Sequence, residues 1–425
     1  MEMTERVLFT EEMRKDYTLL VPTMLPIHFR LICRLLNYYG YNAELMESDS
    51  EKIKEYGLKY VHNDACYPAL LVIGQMIEAL ESGKYDPHKV AFLYFQTGGG
   101  CRASNYVSLM RKAFARAGYP YVPIVSINFV GMEKNPGFKL TPPMLIKAVS
   151  GILYADLLME LRNQCRPYEL TAGSTEALVR EWEARLADDI IGHGFSYRHI
   201  KDNYRKIVRS FAALPMDRSV KKPKVGIVGE IFVKFSPLGN NKLEEFLVKE
   251  GAQPVLPGLM EFVLYIVYNN IADSELYGGH RLRKWICGII YRYLIGKQND
   301  VSRILSEEGT FDCPIEFDEA RKKVQDVIGL GVKMGEGWLL TAEMLSLIND
   351  GIKNIVITQP FGCLPNHICG KGMMKPLKEK YPDVNLVAVD YDPGATKINQ
   401  ENRIKLMLSN ALPQEKADQR DFATV

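Results

Sequence analysis

Hydrophobic positions along this chain follow two periods. Unbroken apolar runs rich in β-branched residues predict strands over 16–22, 90–95, 122–129, 224–231, 254–257, 352–358 and 384–390. Apolar residues spaced three or four apart predict helices over 26–39, 68–80, 105–117, 144–163, 174–190, 200–214, 242–251, 338–349 and 395–410, with more helical material across 259–327. Gly40 and Gly118 stand where the first and third of these helices should stop. Strands that are apolar throughout are buried on both faces, so their alternation with helices implies an α/β fold with parallel sheets covered on both sides. The pattern divides the chain into a first α/β domain over 1–140, a charged helical connecting layer over 141–222, a second α/β domain with a helical insertion over 223–411, and a polar tail over 412–425 that is expected to fray.

Three turns in this pattern share one local form. The predicted strand over 352–358 runs into Gln359-Pro360-Phe361-Gly362-Cys363-Leu364-Pro365-Asn366-His367, a Pro/Gly turn whose second proline opens a helix. Asn63-Asp64-Ala65-Cys66-Tyr67-Pro68 and Gln96-Thr97-Gly98-Gly99-Gly100-Cys101-Arg102 repeat the setting, each with one cysteine at an expected strand-to-helix turn. Ligands of open α/β sheets gather at the carboxyl ends of the strands, and helix N-termini offer N–H groups and partial positive charge that favour thiolates. Three thiolates converging from two domains on one site is therefore the expectation, with Gly98, Gly99 and Gly100 leaving room for a bulky inorganic group.

Composition narrows this only slightly. The 425 residues carry 53 Lys plus Arg against 51 Asp plus Glu, a net charge of +2, which gives no electrostatic case for nucleic acid or an anionic membrane. The acidic start of the chain lacks the apolar core of a secretory signal, so a cytoplasmic protein is expected, and its eight cysteines read as thiols or metal ligands rather than a disulfide framework. Cys33 lies among leucines and reads as a buried small hydrophobe, and Cys369 as a helix-packing residue. The paired spacings of zinc ribbons and ferredoxins are absent. Spacing alone leaves buried structural or redox thiols, a shared metal or cluster site, and a Cys₃His zinc site using His367 all open. The glycine-rich stretch 329–337 lacks a preceding strand and reads as a flexible loop or a lid.

The same segments, together with Gly335-Glu336-Gly337-Trp338, resemble the 2-hydroxyacyl-CoA dehydratase and benzoyl-CoA reductase superfamily, in particular its activase-related branch, to which the double-cubane cluster protein is related. The resemblance extends from about residue 15 to 410. It implies two flavodoxin-like parallel-sheet domains with helical insertions and an iron–sulfur cluster, [4Fe-4S] or double-cubane [8Fe-9S], in the interdomain cleft. Cys66, Cys101 and Cys363 match the cluster cysteines. It also implies an ASKHA-type ATPase activator with its own [4Fe-4S] cluster as partner, since this chain has no phosphate-binding motif of that kind. The resulting expectation is an iron–sulfur reductase component, a dimer, that takes low-potential electrons from the ATPase and passes them to a small-molecule substrate such as an acyl-CoA. Gly98, Gly99, Gly100, Gln359, Asn366 and His367 would surround the cluster, and Glu336 would be the substrate or proton-transfer residue. A cluster carrier or scaffold without turnover, or a zinc-stabilised structural protein, are the alternatives.

Overall fold

The computed structural model describes residues 6–62, 64–96, 100–127, 133–193, 195–219, 221–279, 281–314 and 316–411. Gly98, Gly99 and the tail over 412–425 lie outside them.

Two four-stranded parallel sheets form the frame. The first contains β1 (Thr18–Pro22), β2 (Asn42–Met46), β3 (Val90–Phe95) and β4 (Ile124–Ile127) in the order β2-β1-β3-β4. The second contains β5 (Lys224–Gly229), β6 (Gln253–Val255), β7 (Asn354–Pro360) and β8 (Asn385–Tyr391) in the order β6-β5-β7-β8, so both sheets have the same topology. Leu19 of β1 sits opposite Ala43 and Ala91, and Gly226 of β5 opposite Val255 and Ile355. All are buried or nearly so, which explains the unbroken apolar runs at the centre of each sheet.

Along the first sheet run α1 (Met13–Asp16), α2 (Pro26–Tyr38), α3 (Lys52–Tyr60), α4 (Tyr67–Glu81) and α5 (Tyr106–Ala117). β2 and α3 correspond to no sequence expectation. β2 is an edge strand with mixed burial, and only Ile53 and Gly57 of α3 are buried, so neither carries a strong apolar period. α3 crosses α4 backbone to backbone. A methyl group on Gly74 would lie 2.1 Å from the Ile53 carbonyl oxygen, and one on Gly57 would lie 2.5 Å from the Leu70 carbonyl oxygen. The presence of α3 corrects one expectation: Cys66 lies between two helices, not between a strand and a helix. Two strand ends also differ. β4 begins at Ile124 because Pro123 has no N–H to donate, although its carbonyl still accepts from the Phe92 N–H at 3.0 Å. β5 ends at Gly229 rather than 231, where φ +139° turns the chain and the Thr358 carbonyl would lie 2.4 Å from any Cβ.

The connecting layer is α6 (Pro142–Cys165), α7 (Ser174–His193) and α8 (Tyr197–Ala212). In the second half come α9 (Ile231–Phe235), α10 (Leu243–Lys249), α11 (Leu259–Leu276), α12 (Arg281–Glu308), α13 (Phe317–Val324), α14 (Trp338–Asn349), α15 (Leu364–Cys369), α16 (Met374–Lys380) and α17 (Lys397–Ala411). Asp156 on α6 ties the halves together. Its carboxylate accepts from the His28 Nε2–H of α2 at 2.7 Å and from the Leu259 and Met260 N–H groups that open α11, at 2.7 and 2.9 Å. Gly258 admits that carboxylate, which would stand 2.7 Å from a Cβ. Among the described residues, no helix is long and apolar enough to cross a membrane.

Candidate metal centre

Cys66, Cys101 and Cys363 occupy one structural position three times over: each is the residue that caps the N-terminus of a helix. Cys66 precedes α4, Cys101 precedes a 3₁₀ turn (Arg102–Asn105) that leads into α5, and Cys363 precedes α15. All three have extended backbones, φ −73°, −83° and −88°, and the prolines Pro68 and Pro365 in the first turns of α4 and α15 preset φ for the helix.

The loops touch across the two sheets. The Tyr67 N–H, first of α4, donates to the Phe361 carbonyl at 3.0 Å, joining the Cys66 loop to the Cys363 loop. Gly362, at φ +71°, lies so close that a methyl group there would sit 3.1 Å from the Cys66 Cα. The Arg102 guanidinium donates to the Asp64 carbonyl, joining the Cys101 loop to the Cys66 loop. The third side is closed by the glycine stretch before α14. A methyl on Gly335 (φ +59°) would lie 2.9 Å from Pro365 Cγ and 3.8 Å from Cys101 Cβ, and the Gly100 N–H donates to Met334 Sδ at 3.2 Å. The Tyr265 hydroxyl donates to the Lys333 and Gly335 carbonyls, and the Trp338 N–H to the Val332 carbonyl at 2.7 Å, so the turn is held in place.

Burial pushes all three thiols up, Cys101 to about 11, with the Glu230 carboxylate adding to the shift at all three and Glu336 at Cys101 and Cys363. The N–H groups of Ala69, Ala103 and Asn366 pull the other way, as expected at helix N-termini, without closing a capping hydrogen bond to the neutral thiol. Thiols held this high are poor nucleophiles, and a metal is what would convert them to thiolates. Cys66 Sγ and the Tyr106 hydroxyl stand 2.6 Å apart, a contact with no sequence signal.

Glu336 points inward, 6 % exposed, and its Oε1 accepts from the Ile231 N–H at 2.9 Å. Glu230, overlooked in the sequence, caps α9 by accepting from the Val233 N–H at 2.9 Å. Burial, and then the charge of Glu336, push Glu230 up to about 8, and burial raises Glu336 as well. The folded chain thus binds a proton that the unfolded chain releases, and stability should fall as pH rises from about 4.5 to about 8. Urea midpoints of the metal-free protein across that window should show this slope, and Glu336→Gln should flatten it. An equal slope in both proteins would refute the influence of Glu336 on Glu230.

Of the other expected residues, Gln359 and Asn366 are buried, and Asn366 Nδ2–H donates to the Thr358 carbonyl at 2.6 Å. Gln359 Oε1 and Asn366 Oδ1 are buried without a partner. His367 is exposed on α15, and Gly100 is exposed beside Cys101. Cys369 and Cys33 are buried, as expected of packing residues. Among the described residues, the one trio of ligand atoms lying within 4.8 Å of one another is Asp189, His193 and His199.

No protein-family model matches the chain, and neither the curated proteins nor the solved structures give a match.

Proposed function

We propose that this chain is the iron–sulfur reductase component of an ATP-dependent two-component system, with a cluster held by Cys66, Cys101 and Cys363. The observation that carries this reading is the convergence of three helix-capping cysteines from two sheets, with glycines at the points of closest approach. The burial of Cys66 and Cys363, at 5 % and 6 % exposure, favours a resident cluster over one handed to an acceptor. The 2-1-3-4 strand order of both sheets agrees with a flavodoxin-like fold, and the site's place beyond the ends of β3, β5 and β7 with ligand binding in such folds.

In this reading the cluster, [4Fe-4S] or double-cubane [8Fe-9S], supplies single-electron transfer at low potential. The chain's own groups do the rest. The helix N-termini aim N–H groups at the sulfurs, Tyr106 bonds Cys66, and Glu336 with Glu230 keeps a proton beside the site for a small substrate of the acyl-CoA class. An ASKHA-type ATPase would deliver the electrons. Anaerobic purification with iron, acid-labile sulfide and zinc analysis tests the proposal. The expected result is a brown protein with iron and sulfide near about four per chain, or about eight for a double cubane. A colourless, zinc-loaded or metal-free protein would overturn it.

A further inference from the structure

A second set of ligand-bearing side chains lies in the helical layer, on helices that carry none of the cysteines. Asp189 and His193 occupy successive turns at the end of α7, and His199 lies in the first turn of α8. Asp189 Oδ1 is 2.7 Å from His199 Nε2 and 3.7 Å from His193 Nδ1, and the two imidazole rings stack 4.4 Å apart. The three ligand atoms all lie within 4.8 Å of one another. Bonds of about 2.0–2.1 Å at tetrahedral angles set ligand atoms roughly 3.3 Å apart, a separation bracketed by the two measured distances.

The surroundings fit a metal as well as the three donors do. The other carboxylate oxygen, Asp189 Oδ2, accepts from the amide of Asn203, a buried residue that also donates to the Tyr154 hydroxyl at 3.2 Å, so the carboxylate is aimed from behind. The turn between the helices is closed by the Ser196 N–H donating to the His193 carbonyl at 2.8 Å. Among the described residues, no Lys or Arg pairs with Asp189, whose ion-pair partners are the two imidazoles. His193 is 59 % exposed, which leaves an approach from solvent.

We propose that Asp189, His193 and His199 bind one divalent transition-metal ion of the zinc class and clamp the end of α7 to the start of α8. Two imidazoles and one carboxylate select Zn²⁺, Co²⁺ or Ni²⁺ over Mg²⁺ and Ca²⁺, which take oxygen ligands. On binding, the ion takes the place of the hydrogen bond between Asp189 and His199, and each ring ligates as the neutral tautomer whose proton sits on the nitrogen that does not face the ion. The site is independent of the cysteine centre.

Cobalt titration of the chelator-treated full-length chain tests it. Co²⁺ on nitrogen and oxygen ligands gives weak visible bands only, whereas Co²⁺ on cysteine adds intense near-ultraviolet charge transfer, so the two sites are told apart in one spectrum. The expected result is one equivalent bound without thiolate charge transfer, a rise in unfolding temperature with added Zn²⁺, and a loss of at least about 10–100-fold in affinity in His193→Asn. His193 is exposed, so that variant should unfold at the wild-type temperature in chelator, which separates lost ligation from lost fold. Binding seen only with thiolate charge transfer, or equal affinity in His193→Asn, would overturn the proposal.

Discussion

Cys101→Ala, purified without oxygen, is expected to lose iron and acid-labile sulfide together, by roughly tenfold or more, since groups that merely support a ligand already cost about 10–100-fold when removed. Cys101 is the least buried of the three capping cysteines, so alanine there leaves little cavity, and the metal-free variant should unfold close to the metal-free wild type. Cys33→Ala is the matching control. Cys33 packs at 6 % exposure in α2, and burial pushes its thiol up to about 12, which is the setting of an inert core residue. Its alanine variant should keep the full iron content while losing about 1 kcal/mol of stability. Iron and sulfide unchanged in Cys101→Ala, or lost equally in Cys33→Ala, would remove the cysteine assignment.

The largest stability effect should come from Lys234→Met. Lys234 is 5 % exposed and its Nζ donates to Glu343 Oε1 at 2.7 Å, while Glu343 is 2 % exposed and its Oε2 has no partner. Removing one member of a buried pair strands the other charge and costs about 3–5 kcal/mol. Here the cost extends further, because the Lys234 charge also offsets the upward shift that burial imposes on Glu230, Glu261 and Glu336. Without it, Glu343 takes up a proton. A carboxyl raised in the folded state stabilises while protonated and loses that contribution as pH rises through its folded pKa, so the deficit of Lys234→Met should grow from acid toward neutral pH. Lys234→Met combined with Glu343→Leu should recover most of the loss, because apolar replacement of both partners removes the stranded charge. Denaturant midpoints of the three proteins at two pH values decide this, and a double variant no better than the single one would show that the pair is not what Lys234 holds.

The local features of this protein were legible in its sequence. β1, β3, β5 and β7 announce themselves as apolar runs because they are the central strands of covered sheets, the edge strands β4, β6 and β8 are legible from apolar runs of their own, and the cysteines at 66 and 363 carry a helix-start signal in the proline two residues on. These are one-dimensional consequences of burial and capping, which act within a few residues. β2 and α3 escaped notice because an edge strand and a helix touching the core through one isoleucine and one glycine leave almost no period to read. Tyr106 and the Lys234–Glu343 pair escaped for another reason: each acts through a residue far along the chain, as Glu230 does where the charge of Glu336 shifts it. That the Cys66 loop meets the Cys363 loop, and that Gly335 closes the remaining side against Cys101, follows from how the two sheets are set against each other. Periodicity reports that a segment is buried and capping reports where a helix begins. Which segments are buried against one another is a property of long-range packing, and only the tertiary structure decides it.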